Sequence, residues 1–197
     1  MTIPPVARHS RPVDEGPVVT AAARPSRQSV SQLRRLGRAG YGLLLAAVVT
    51  ALDLSSKLWA RTHLVPVGRD HPVVSVALVR NRGAGLGIGA GHPGMVGAVE
   101  VLGVLLVAWW LWSASTAGWR ACAAAVLGGA AGNLVDRLRH GAVTDWIHIA
   151  PYPPYFNVAD LAIRGGLVAA AVVALCRYRS RDDTARTLGR VRSDQQT

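Results

Sequence analysis

The chain is poor in the residues that usually announce a function. Cysteine occurs twice, as Cys122 and Cys176, both inside apolar runs, and there is no Cys-x-x-Cys or Cys/His cluster. That excludes a disulfide framework and a zinc site, and leaves both as small core residues. Acidic residues number only 11 against 22 basic ones. The first residues, MTIPPVARHSRPVDEG, hold no apolar stretch, so they are not a cleaved signal peptide, and their Pro, Arg and Ser content predicts disorder. No Gly-Lys-Ser/Thr phosphate loop exists. GAGLGIGAG (83–91) contains G-x-G-x-x-A at Gly85, Gly87 and Ala90, but a long apolar segment follows where a dinucleotide site needs a βαβ unit and a distant acid. Nucleotide binding is thereby excluded, and the run reads as a mobile loop.

What is present is a segregated pattern. Charge is pushed to the ends and the middle is apolar. Residues 1–38 carry seven arginines against Asp14 and Glu15, and residues 177–197 carry six against three aspartates. These tails lack the interleaved aromatics that stack bases, so nucleic acid is not the expected partner. Flanking apolar helices, they are the kind of segment retained in the cytoplasm.

Four segments read as membrane spans, at about 39–60, 93–112, 119–138 and 157–178. A span needs about 20 mostly apolar residues. Only the second, MVGAVEVLGVLLVAWWLW, meets that cleanly; the others include polar residues at one end. Polar groups there are expensive unless they line a site. Four spans with basic tails place 1–38 and 179–197 in the cytoplasm, the first as a disordered tail, with outer loops at 64–92 and 139–156. Asp53, Lys57, Asn133, Asp136, Arg137, Asn157 and Asp160 then converge with the outer loops on one membrane face. Glu100, alone in the second span, has no evident partner. HPVVSVALVR (71–80) and VTDWIHI (143–149) have strand character, which predicts a small outer sheet.

Asp145 and Asp160 are the candidate chemistry. Two carboxyl groups at one bilayer face can share a proton, giving an acid and a base at one pH. Asn157 and Asp160 also fit the first turn of a helix, as N-cap and third residue. Asp53 and Lys57 are spaced as a helical ion pair. Arg137 reads either as an interfacial ion-pair partner of Asp136 or as a fork of donors for a phosphate, carbonyl or carboxylate. Asn133 precedes it by one turn.

GGAAGNLVDRLRHGAVTDWIHI (128–149) and YFNVADLAI (155–163), with NRGAG (81–85) and DLSSK (53–57), resemble the lipoprotein signal peptidases, or signal peptidase II. The resemblance covers about residues 40–178. It implies a mainly α polytopic membrane protein, four transmembrane helices with a small extracytoplasmic β-cradle and a mobile loop. It implies an aspartic endopeptidase of the bacterial cell membrane that removes signal peptides from diacylglyceryl-modified prolipoproteins, cutting before the lipidated cysteine. Asp145 and Asp160 take the catalytic positions. Asn81, Gly83, Asn133, Arg137 and Asn157 take positions that bind substrate or order the site, and Asp53, Lys57 and Asp136 support them. No metal or cofactor is implied. Lipidated prolipoproteins, membrane phospholipids and globomycin-type inhibitors are the implied partners. The sequence departs from the family pattern at Leu86, at VTDW and at Arg164, which lies one turn beyond Asp160. An inactive relative, or a carrier of lipid or peptide, is the rival reading.

Overall fold

The computed structural model of the protein describes residues 27–66, 73–83, 89, 91–152 and 154–194. Residues 1–26 of the expected N-terminal tail, and most of GAGLGIGAG with Leu86, lie outside the described residues. Four helices and two strands follow in the order α1 (Arg27–His63), β1 (Val74–Asn81), α2 (Pro93–Ser113), α3 (Ala117–His140), β2 (Val143–Ile149) and α4 (Val158–Asp194). The helices reach into both segments assigned to the basic tails. Pro25 is the last proline before α1 and none occurs after Pro154, so nothing in these stretches removes a backbone donor from the helical ladder.

Three stretches are long and apolar enough to cross a membrane: Ala39–His63, Gly94–Ser113 and Val158–Ser180. They coincide with the first, second and fourth segments read from the sequence. The third segment is helical but is not among them. α3 carries Arg120, Asp136, Arg137 and Arg139, and it packs against α1, α2 and α4. A helix walled in by other helices has little apolar surface to offer lipid, so its composition follows packing.

That packing is close. The core joins Ala46, Leu111, Ala123, Ala124 and Leu127. A Cβ on Gly128 would lie 2.5 Å from the Ala46 carbonyl oxygen of α1, and one on Gly129 2.5 Å from the Ala159 carbonyl oxygen of α4. Neighbouring helical residues point about 100° apart, so this glycine pair opens two seams at once. Thr50 Oγ1 donates to the Gly128 carbonyl at 2.9 Å across the first seam.

β1 and β2 form an antiparallel two-stranded sheet, as the alternating segments predicted. Val76 pairs with Ile147 and Val79 with Asp145, so Ala77 and Leu78 oppose Trp146 alone. This is a β-bulge. It shifts the face of every residue beyond it and leaves Asn81, paired with Val143, diagonal to Asp145 on one face.

Candidate active site

The end of α3 sets the position of Asp145. Gly141 caps the helix in the left-handed region, φ 69°, and its N–H bonds the Arg137 carbonyl. A side chain is disfavoured there. The chain turns back so that the Thr144 N–H donates to Asp136 Oδ2 at 2.6 Å. Asp136 Oδ1 meanwhile accepts from Arg61 Nη1 at 2.6 Å and lies 2.9 Å from His140 Nδ1. The next residue, Asp145, is 2% exposed.

Asn157 joins this strand to α4. Its Oδ1 accepts from the Asp160 N–H at 2.9 Å, which is an N-cap. Its Nδ2 donates to Asp145 Oδ1 at 2.6 Å. Helix capping and site construction are therefore one arrangement. Asn81 Nδ2 holds the other oxygen, Asp145 Oδ2, at 3.1 Å, while its Oδ1 accepts from the Gly83 N–H. Asp160 Oδ1 accepts from Asn133 Nδ2 at 3.1 Å.

The amide of Asn133 is oriented from behind. Lys57 Nζ donates to its Oδ1 at 2.6 Å, and an ammonium has no acceptor, so the Nδ2 must face Asp160. Lys57 also pairs with Asp53 Oδ2 at 2.7 Å, both side chains fully buried. Asp53 Oδ1 accepts from the Ala159 N–H at 2.8 Å, so a carboxylate of α1 caps the first turn of α4. The Asp53–Lys57 pair expected from the spacing is present, and it supports both the helix end and the Asn133 amide.

Burial pushes the Asp145 carboxyl up to about 6, and the charge of Asp160 adds to the rise. The amides of Asn81 and Asn157, and the charge of Lys57, oppose it. A carboxyl so placed keeps its proton to a higher pH than an exposed aspartate does, beside a second carboxylate, an arrangement suited to acid–base work.

A model of the family described as Signal peptidase (SPase) II matches residues 45–176. The chain belongs to the signal peptidase II family. The lipoprotein signal peptidase of Mycobacterium avium is 32% identical over 81% of this chain and 88% of its own length. That of Xanthomonas campestris pv. campestris (strain 8004) is 36% identical over 68% of this chain and 87% of its own. A solved bacterial membrane enzyme shares the fold at 23% identity, with TM-score 0.63 over 72% of this chain and 91% of that one.

Within this signal peptidase II chain, Arg137 and Glu100 explain one another. Arg137 Nε donates to Glu100 Oε2 at 2.8 Å, and its Nη1 and Nη2 donate to the Arg82 and Gly83 carbonyls at 2.9 Å each. Arg137 thus holds the backbone that carries Asn81 to Asp145, and its donors go there rather than to Asp136. Arg164 lies over the rings of Tyr152 and Phe156, 5.4 and 5.9 Å from their centroids. Sequence reasoning missed Arg61 and Thr144. A signal existed for Arg61: Asp53, Lys57 and Arg61 recur every four residues on one face of α1.

The site depends on Gly132 as much as on its polar groups. A Cβ there would lie 2.5 Å from Asp53 Oδ2. Gly132→Ala must displace that carboxylate from Lys57 and from the α4 cap. It is expected to destabilise the protein by about 1–3 kcal/mol, the usual range for overpacking, read as a lower unfolding temperature in detergent. An unchanged temperature would contradict this close approach.

Proposed function

We propose that this signal peptidase II chain is an aspartic endopeptidase of the bacterial cell membrane. Its substrates are diacylglyceryl-modified prolipoproteins, cut before the lipidated cysteine. The observation that carries the reading is Asn157, which holds Asp145 with one end of its amide and caps Asp160 with the other. Family membership supplies the substrate class, since the relatives are lipoprotein signal peptidases. In this reading α3 also spans the membrane, giving four spans, both termini are cytoplasmic and the site opens at the outer face.

One member of the aspartate pair is ionised and the other protonated. The ionised carboxylate takes a proton from water, and the water oxygen attacks the scissile carbonyl carbon. The protonated carboxyl gives its proton to the carbonyl oxygen. The first carboxyl then returns its proton to the amide nitrogen, the C–N bond breaks, and the tetrahedral intermediate collapses to an acid and an amine as the second carboxyl recovers its proton. Arg137, Asn81 and Gly83 hold the loop beside Asp145, while Lys57, Asn133 and Asp53 fix Asp160 and its helix.

The deciding test is cleavage by the purified full-length chain of one precursor prepared with and without its diacylglyceryl group. Cleavage of the lipidated form alone, at the bond before the cysteine, is the expected result. A folded protein that binds the lipidated precursor and releases no product favours the carrier or inactive-relative reading.

The pH dependence gives a second test. A carboxyl that titrates at about 6 loses its proton as pH rises, so kcat/KM should fall on the alkaline side. The Asn81 bond favours the ionised Asp145. Asn81→Ala removes it, raises the carboxyl further and should move the alkaline limb to higher pH. A lower rate with an unmoved limb would assign Asn81 a purely structural role.

A further inference from the structure

A concavity apart from the aspartate pair lies where the C-terminal part of α1 meets the last turn of α3. An open cavity of about 330 Å³ is lined there by Leu54, Ser55, Leu58, Arg61, Arg139 and His140, with the Asp136 carboxylate also in its wall. Asp145 and Asp160 are not among its lining residues.

Its two ends differ in chemistry. Leu54 and Leu58 form an apolar end, and Leu58 is largely exposed. Arg61, Arg139 and His140 form a basic end. Asp136 is already engaged by Arg61 Nη1, by His140 and by the Thr144 N–H. Arg139 is exposed and pairs with no carboxylate among the described residues. The cavity therefore keeps uncompensated positive charge.

Its place along α1 narrows the ligand. Arg61 is in the last turn of the apolar stretch Ala39–His63, the depth at which hydrocarbon gives way to headgroups. From Leu54 to Arg61 the helix rises about 10 Å, roughly the reach from upper acyl carbons to a phosphate.

We infer that this cavity binds the headgroup of an anionic phospholipid. Arg139 and Arg61 receive the phosphodiester, Ser55 offers its hydroxyl, and an acyl chain follows Leu54 and Leu58. The apolar end favours a lipid over free phosphate. A zwitterionic headgroup would bring its ammonium toward Arg139 and His140, with the one acid, Asp136, already paired. The inference concerns lipid contact alone and stands or falls apart from cleavage.

The test uses the full chain in nanodiscs with a fluorophore at Leu52→Cys, one turn from Ser55 and outside the cavity. Exposed Cys176 is replaced by Ser and buried Cys122 is kept. Brominated phosphatidylglycerol and brominated phosphatidylcholine are compared as quenchers at equal mole fraction. The anionic phosphatidylglycerol is expected to be preferred about fivefold, the ordinary gain from one basic residue near an anionic surface. Arg139→Gln should remove most of that preference and Arg139→Lys should keep it. Equal quenching by the two lipids, or an unchanged preference in Arg139→Gln, overturns the inference. So does the same preference at a control label on exposed Leu106→Cys of α2, which would mean general surface attraction. Loss of the preference on adding inorganic phosphate would assign the cavity to free phosphate instead.

Discussion

Asp145→Asn and Asp160→Asn should each lower turnover of a lipidated prolipoprotein at least about a thousandfold, within the range expected when an acid–base group is lost. Precursor binding should stay within about threefold, since an amide preserves size and most hydrogen bonding. Asp145 accepts one bond at each oxygen, from Asn157 and Asn81, and Asp160 accepts from Asn133. An amide oxygen can keep one such partner in each case. What it cannot do is take a proton from water or give one back. The two substitutions should therefore be equally severe, and the double variant little worse than either single one, because the proposed mechanism uses the two groups as a unit. Retention of more than about a tenth of the activity in either single variant would remove that residue from the chemistry, given the size of acid–base contributions.

Lys57→Met should produce the largest loss of stability, about 3–5 kcal/mol, as expected when one partner of a buried ion pair is removed. Lys57 and Asp53 are both 0% exposed, so the remaining carboxylate has no solvent to turn to. Asp53→Asn/Lys57→Met should recover at least half of that loss. The asparagine is neutral and can still accept from the Ala159 N–H, which Asp53 caps in the native protein. Activity should not return with stability. The Asn133 oxygen would lose its short Lys57 bond and keep only the longer one from Asn157 Nδ2 at 3.2 Å, so its amide would present Nδ2 to Asp160 less firmly. Unfolding in detergent and cleavage, measured on both variants, separate the two roles. If the double variant is no more stable than the single one, the uncompensated charge is not the source of the loss.

Much of this was legible in the chain. Three apolar segments are helices of membrane-crossing length at their expected places, because hydrophobic length is a local property. The strand character of 71–80 and 143–149 was legible for the same reason, as was the Asp53–Lys57 spacing. The partner of Glu100 was not, because Arg137 lies 37 residues away and only the packing of α2 on α3 joins them. The role of Arg137 was open between an ion pair and a donor fork. It makes an ion pair, with Glu100 rather than Asp136, and spends its other donors on two backbone carbonyls of the β1 end. Arg164 was placed by spacing one turn from Asp160, but its guanidinium lies over two aromatic rings. Spacing fixes a helix face and does not fix the rotamer of a long side chain.

The sequence by itself determined which polar residues the chain places at the ends of apolar segments, and hence that Asp145, Asp160, Asn133 and Asn157 belong to one region. Periodicity and hydropathy suffice for that, since both act over a few neighbouring residues. Only the tertiary structure decided how they are wired. A single bulge opposite Trp146 turns Asn81 toward Asp145, one amide at Asn157 serves both a helix cap and a carboxylate, and a buried lysine fixes which end of Asn133 meets Asp160. Each is a choice of register, orientation or rotamer made by groups far apart in the chain, where one residue of slip or one flipped amide changes the chemistry without changing the composition.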